Sequence, residues 1–257
     1  MNTVPALPSL SLDGKRALVT GAGRGIGFAA AAAAALAQAG AHVTLAGRLR
    51  EELERASRDL NASGGKSDFV ILDVTQPDAV TQQVAAMGPV NVLVNNAGMN
   101  RPMHLVDVKD EDIDAVLALN VKAAFYVSRA VAKGLLAAGQ PGSIINVSSQ
   151  MGHVGSPGRT VYCATKHAIE GMTKALAWEL GPHGIRVNTI CPTFIETALT
   201  SAMFEAAGFR DWVTSRTALG RVGRVEELMG AVVFLAGDAS SLMTGSALML
   251  DGGWTAA

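Results

Sequence analysis

Along the 257-residue chain, short runs of nearly continuous apolar residues alternate with longer stretches of helical composition. The runs RALVT (16–20), HVTLAG (42–47), DFVIL (68–72), NVLVN (91–95), SIINVS (143–148), RVNTIC (186–191) and ALMLD (247–251) predict strands. Strands apolar at successive positions are buried on both faces, as in a parallel sheet covered by helices. The intervening segments 25–39, 50–62, 77–87, 110–138, 161–181 and 225–237 predict those helices. Strand and helix alternation of this kind predicts an α/β fold, a doubly wound parallel sheet of about seven strands with helices on both faces. No linker, repeat or charge block divides the chain, so residues 1–257 read as one domain. Residues 1–10 are expected to form an N-terminal arm, and the least regular stretch, 193–220, a flap over a substrate.

Composition narrows the function classes. Twenty-one basic against 22 acidic residues leave a net charge of −1, which gives no global electrostatic basis for binding nucleic acid or an anionic membrane. The apolar run at 26–37, IGFAAAAAAALA, is shorter than the roughly 18 residues of a membrane span and reads as a helix packed closely on the sheet. Cys163 and Cys191 belong to no CxxC or local Cys/His pattern, so linear spacing predicts neither a zinc site nor a disulfide framework. The expectation is a small-molecule partner, no catalytic metal, and a reducing, cytoplasmic compartment.

Ligands of doubly wound sheets bind beyond the carboxyl ends of the strands, so motifs at those ends carry the most weight. The first strand is followed by TGAGRGIG, in which Gly21, Gly25 and Gly27 let backbone approach a pyrophosphate at a helix N-terminus, with Arg24 and Ile26 between them. The GxxxGxG spacing is not the GxGxxG fingerprint, and glycines also serve plain tight turns, but the place of this turn between a first strand and an alanine-rich helix favours a dinucleotide site. The second strand ends in Gly47 and then Arg48, with no acidic residue at that position. An acid there would suit the ribose 2′-hydroxyl of NAD, whereas arginine suits a 2′-phosphate, so Arg48 and Arg24 favour NADP(H). NNAG (95–98) closes the fourth strand, INVSS the fifth at Ser149, and YCATK places Tyr162 four residues before Lys166 on one helix face. A cation beside a phenol is expected to lower its pKa from about 10 towards the range useful for acid/base work.

Together, TGAGRGIG, NNAG, Asn120, Ser149, Tyr162-x-x-x-Lys166 and NTICPTFIET (188–197) resemble the short-chain dehydrogenase/reductase family from about residue 10 to the C-terminus. The resemblance implies hydride transfer between NADP(H) and an alcohol or carbonyl. Ser149 would bond the substrate oxygen, Tyr162 would be the acid/base, Lys166 would hold the nicotinamide ribose and lower the tyrosine pKa, and Asn120 would support a relay water. It also implies cofactor contacts at Asp73, Val74, Asn96, Ala97, Gly98, Tyr162, Pro192, Ile195 and Thr197, and a homotetramer. One departure stands out. Thr193 follows Pro192 where the family has glycine, which removes backbone freedom from the flap.

The substrate is less constrained. Met99, Asn100, Arg101, Gln150, His153, Phe194, Met203, Phe204 and Trp212 are candidates for lining its site. Arg101 and His153 suit a carboxylate or sugar hydroxyls; the alternative is that Arg101 is a surface charge and the Met, Phe and Trp residues are the ordinary apolar lining of a flap. NAGMNRPMHL and FIETALT are similar to family members that act on sugar acids such as gluconate and 5-ketogluconate. A 3-oxoacyl carrier-protein reductase and a non-catalytic NADP-binding regulator are the alternatives.

Overall fold

A computed structural model describes residues 6–23, 27–197 and 200–256. Strands β1 (Arg16–Thr20), β2 (His42–Gly47), β3 (Lys66–Ile71), β4 (Val92–Asn95), β5 (Gly142–Val147), β6 (Ile185–Pro192) and β9 (Ala247–Leu250) form one sheet in the order β3-β2-β1-β4-β5-β6-β9. Every pairing is parallel. In the central register Val19 lies opposite both Leu45 and Val94, and Val94 opposite Ile145. Strand order reverses between β1 and β4, and the two glycine-containing motifs, TGAG and NNAG, leave those two strands at the same sheet edge.

The helices divide between two faces because each buries one apolar stripe. Helices α1 (Phe28–Gln38), α2 (Arg50–Ala62) and α9 (Glu226–Ala236) cover one face, where Leu36, Leu53, Val232 and Leu235 meet Val19, Val43, Val94 and Ile190. Alanines at 29, 32 and 33 face that core, and their small side chains bring α1 close to the β-sheet behind the first turn. The other face carries α3 (Pro77–Ala86), α5 (Ala123–Ala138) and α6 (Thr160–Leu180), with Val80, Val127, Val131, Leu135 and Leu180 packed on Leu18, Leu93, Ile144 and Val187.

Residues 110–138 run as one helical rod of α4 (Asp110–Leu117), a π turn (Ala118–Lys122) and α5. By length and composition alone Asp110–Ala138 is apolar enough to cross a bilayer. Its apolar stripe, including Val116, Val127, Val131 and Leu135, is instead buried within the protein, as expected of a core helix.

The 193–220 stretch is more regular than its sequence suggests. It holds α7 (Ser201–Glu205), α8 (Phe209–Ser215) and a two-residue strand β7 (Ile195–Glu196) that pairs with β8 (Gly223–Arg224). Phe204, Val213 and Val222 form a separate buried cluster, joined by Phe194, Phe209, Trp212 and Trp254. The Trp254 ring stands 5.6 Å from Phe194 and 5.5 Å from Trp212, so the C-terminal tail packs on this chain's own 193–220 stretch.

Candidate active site

The β1 turn is built around close backbone approach. Gly21 has φ +71°, and a Cβ there would stand 2.8 Å from the Ala97 Cα. Both features call for glycine. The NNAG segment grips the same turn, because Asn96 Nδ2 donates to Thr20 O at 3.0 Å while the Asn96 and Ala97 amides donate to Thr20 Oγ1. Asn96 and Ala97 therefore hold the floor of the glycine turn, whatever else they contact, and Gly98 beside them lies against the Asn120 side chain. Gly27 precedes α1. Arg24, Gly25 and Ile26 lie outside the described residues.

Arg48 is exposed just beyond β2, within electrostatic reach of Asp73 beyond β3. Burial works to raise the Asp73 pKa, but bonds from the Thr75 side chain and amide, with Arg48, hold it below its ordinary value. Both Thr75 bonds end on Asp73 Oδ1, at 2.7 and 3.0 Å. Val74 beside it is buried. These residues share one end of the sheet with the glycine turn.

Ser149 caps a short 3-10 turn (Gln150–Gly152), its hydroxyl accepting from the Met151 amide at 3.1 Å. That contact uses the oxygen as acceptor and leaves the O–H as a donor. Tyr162 lies in the first turn of α6, with the Ser149 hydroxyl acting on its phenol. One turn on, Lys166 is buried, donates from Nζ to Val147 O at 2.7 Å, and stands 5.4 Å from the centre of the Tyr162 ring.

The electrostatics differ from the sequence expectation. Burial raises the Tyr162 pKa above its ordinary value, against the lowering effects of Ser149 and Arg159. Lys166 stands over the ring, and Arg159 is the cation that acts to lower the phenol pKa. Burial also lowers the Lys166 pKa to about 8, with Cys191 and Glu170 acting to raise it; burial in turn pushes the Cys191 thiol up to about 12. The phenol is thus held protonated, the form that donates to a developing alkoxide.

Asn120 sits in the π turn and is buried. Its Oδ1 accepts from the Met99 amide, and its Nδ2 donates to Met99 O and to Thr165 Oγ1, at 2.8, 2.8 and 3.1 Å. The side chain thereby ties the NNAG loop to the rod and to α6. Three protein partners use both Nδ2 donors and one Oδ1 lone pair, leaving a single acceptor site on the carboxamide. A π turn inside a long helix is a common mark of a functional site.

Pro192 ends β6, and the amide of Thr193 donates to Leu250 O at 3.2 Å. No described residue other than glycine has positive φ, so threonine replaces the family glycine without a left-handed backbone. Ile195 enters β7, while Thr197 exchanges bonds with Thr200.

Two substrate candidates have partners within the protein. Arg101 pairs with Asp112 at the start of the rod, which partly neutralises its charge. His153 turns to Glu170 and Cys191. Linear spacing separated Cys191 from every histidine; the fold brings them together. Arg159, at the N-cap of α6, was missed in the sequence. Its only signal was a cation three residues before Tyr162.

A family model described as enoyl-(acyl carrier protein) reductase matches residues 21–255. The chain is 43% identical over 249 residues to gluconate 5-dehydrogenase of Gluconobacter oxydans, covering 95% of this chain and 96% of that one. The chain belongs to the short-chain dehydrogenase/reductase family. As a member it is an oxidoreductase with the Rossmann-type sheet described above. It is also 41% identical to the 3-oxoacyl-[acyl-carrier-protein] reductase of Thermotoga maritima, over 95% of this chain and 99% of that one. Among solved structures, a gluconate 5-dehydrogenase from Burkholderia cenocepacia, in complex with NADP and tartrate, superposes with a TM-score of 0.93. That chain is 36% identical, with 98% of this chain and 99% of that one covered.

Proposed function

We propose that the protein is an NADP(H)-dependent dehydrogenase/reductase that interconverts a secondary alcohol and a ketone on a sugar acid of the gluconate/5-ketogluconate type. The observation that carries the acidic substrate is Arg159. Its guanidinium acts on the Tyr162 phenol, is half-buried, and forms no ion pair with a carboxylate among the described residues. A half-buried cation with no carboxylate partner beside the reacting hydroxyl suits a substrate carboxylate. The Gluconobacter and Burkholderia relatives support the same reading.

The chain supplies a fitting cradle for the cofactor: the Gly21 turn for the pyrophosphate, Arg48 for a 2′-phosphate, Asp73 and Val74 for the adenine, and Lys166 for the nicotinamide ribose. Ile195 and Thr197 complete that cradle from the flap side. Bound NADPH supplies the hydride. Ser149 holds the substrate oxygen by its O–H, and Tyr162 delivers its proton to the oxygen as the carbonyl is reduced; in alcohol oxidation the phenolate takes that proton back. The whole chain works as one dinucleotide-binding and catalytic domain, in a homotetramer with closed symmetry.

The testing experiment follows reduced-cofactor absorbance with gluconate and NADP⁺ or NAD⁺, then with 5-ketogluconate and NADPH or NADPH's unphosphorylated counterpart. Turnover of the acid with NADP(H) is expected. Activity confined to acyl thioesters would replace this reading with the carrier-protein reductase, and cofactor binding without turnover on any carbonyl would leave a regulator.

Arg159→Leu is expected to raise KM for the keto-acid about tenfold or more, the effect of losing a hydrogen bond to a charged group, with turnover of neutral ketones kept. Equal losses on both substrates would remove the carboxylate role. The Lys166 value of about 8 sets a second expectation. The ammonium is present below that pH and lost above it, so kcat/KM for reduction should be level near pH 7 and fall as pH rises through about 8. A profile level to pH 10 would show that the charge is not needed.

A further inference from the structure

Behind the catalytic helix lies a second cluster of reactive side chains that hydride transfer does not use. Cys191 Sγ is 3.3 Å from Glu170 Oε1 and 3.5 Å from His153 Nε2, and His153 Nε2 is 3.4 Å from Glu170 Oε1. Thr189 Oγ1 lies 3.0 Å from Glu170 Oε2 and 3.3 Å from the sulfur. Glu170 and Cys191 are buried, whereas the His153 side chain is 31% exposed and gives the cluster an edge on solvent.

We propose that His153, Glu170 and Cys191 bind a zinc-class divalent cation. Zinc bonds of about 2.3 Å to sulfur and about 2.0–2.1 Å to nitrogen and oxygen give tetrahedral ligand-to-ligand edges of roughly 3.3–3.6 Å. The nitrogen–oxygen separation of 3.4 Å and the sulfur–nitrogen separation of 3.5 Å match those edges, and the sulfur–oxygen separation of 3.3 Å is about 0.2 Å short of its own. A histidine-to-carboxylate contact of 3.4 Å is, by contrast, long for a charge-assisted hydrogen bond, which closes to about 2.7–2.9 Å. Thiolate, imidazole and carboxylate are a soft and borderline ligand set suited to zinc over magnesium or calcium. Binding releases the thiol proton to solvent, and one thiolate and one carboxylate then balance the two positive charges. The solvent edge at His153 leaves the fourth position to water, and Thr189 orients the carboxylate from behind.

The three ligands come from three different elements. His153 follows the turn that carries Ser149, Glu170 lies one helical turn beyond Lys166, and Cys191 precedes Pro192. The ion therefore ties the serine turn, the tyrosine and lysine helix, and the root of the flap to one another. It holds these parts in place and takes no part in the reaction.

The test uses purified full-length protein stripped by a chelator and titrated with Co²⁺ as the probe, then with Zn²⁺. Wild type is expected to develop a sulfur-to-cobalt charge-transfer band that saturates at one ion per chain, is bleached by zinc, and accompanies a higher thermal midpoint. Cys163→Ser keeps the band. Cys191→Ser abolishes it, and His153→Ala, a change at a partly exposed side chain that keeps the fold if the core variant does not, weakens Co²⁺ at least about tenfold. Loss of outer partners alone costs about 10–100-fold in metal affinity, so loss of a ligand costs no less. No thiolate band in wild type, a band surviving in Cys191→Ser, or unchanged affinity in His153→Ala would each overturn the site.

Discussion

Tyr162→Phe is expected to lower kcat by about 10²–10⁴-fold, the range that general acid/base catalysis supplies, with the thermal midpoint and NADPH affinity close to wild type. The phenol sits at the start of α6, and the side-chain partner that acts on it is the Ser149 hydroxyl, a member of the same site. The ring, which stays in the variant, keeps the packing and the Lys166 ammonium above it. Because burial holds the phenol protonated, what disappears is the proton delivered to the alkoxide. The same loss should appear in kcat and in kcat/KM, since the proton moves in the transition state. Steady-state kinetics in both directions, with thermal melts on the same samples, makes the comparison. Activity within a few-fold of wild type would transfer the acid role to another group.

Gly21→Val is expected to weaken NADPH binding at least about tenfold and to lower the thermal midpoint by several degrees. At φ +71° a side chain is strained, and the new Cβ would meet the Ala97 Cα at 2.8 Å, which is backbone and cannot rotate away. A left-handed conformation alone costs a residue with a Cβ about 1–2 kcal/mol. For a chain of this size each kilocalorie lost moves the midpoint by about 2–4 °C. The turn and NNAG are fastened through Thr20, so pushing one moves the other. Gly21→Ala should show the same change in smaller measure. Fluorescence titration with NADPH is the measurement, and wild-type affinity in the valine variant would show that the cofactor does not lie on this turn.

Much of this architecture is written in local patterns. The run at β2 and the helix at 50–62 appear at the boundaries their patterns predict, because apolar periodicity and flanking turn residues act over a few positions. Where boundaries move, as at β3, which begins at Lys66 and not Asp68, pairing with β2 extends the strand through residues whose own propensities are neutral. The flap shows the limit more clearly. Residues 193–220 have little periodicity, yet Phe194, Phe209, Trp212 and Trp254 order them through ring contacts, the last contributed by the far end of the chain.

The sequence by itself determined the doubly wound parallel sheet, the position of the glycine turn, and the family, because strand and helix periods and motif spacings are short-range properties. Tertiary structure alone decided the protonation and the neighbours of the site. Burial reversed the expected shift of Tyr162, since the desolvation of a phenolate depends on everything packed around it. Asn120 became a strut between Met99 and Thr165, and Arg159 became the cation acting on the phenol. His153, Glu170 and Cys191 met across three elements, 38 positions apart at the widest. Distances of that kind are set by which strands and helices lie side by side, and no local pattern of residues encodes them.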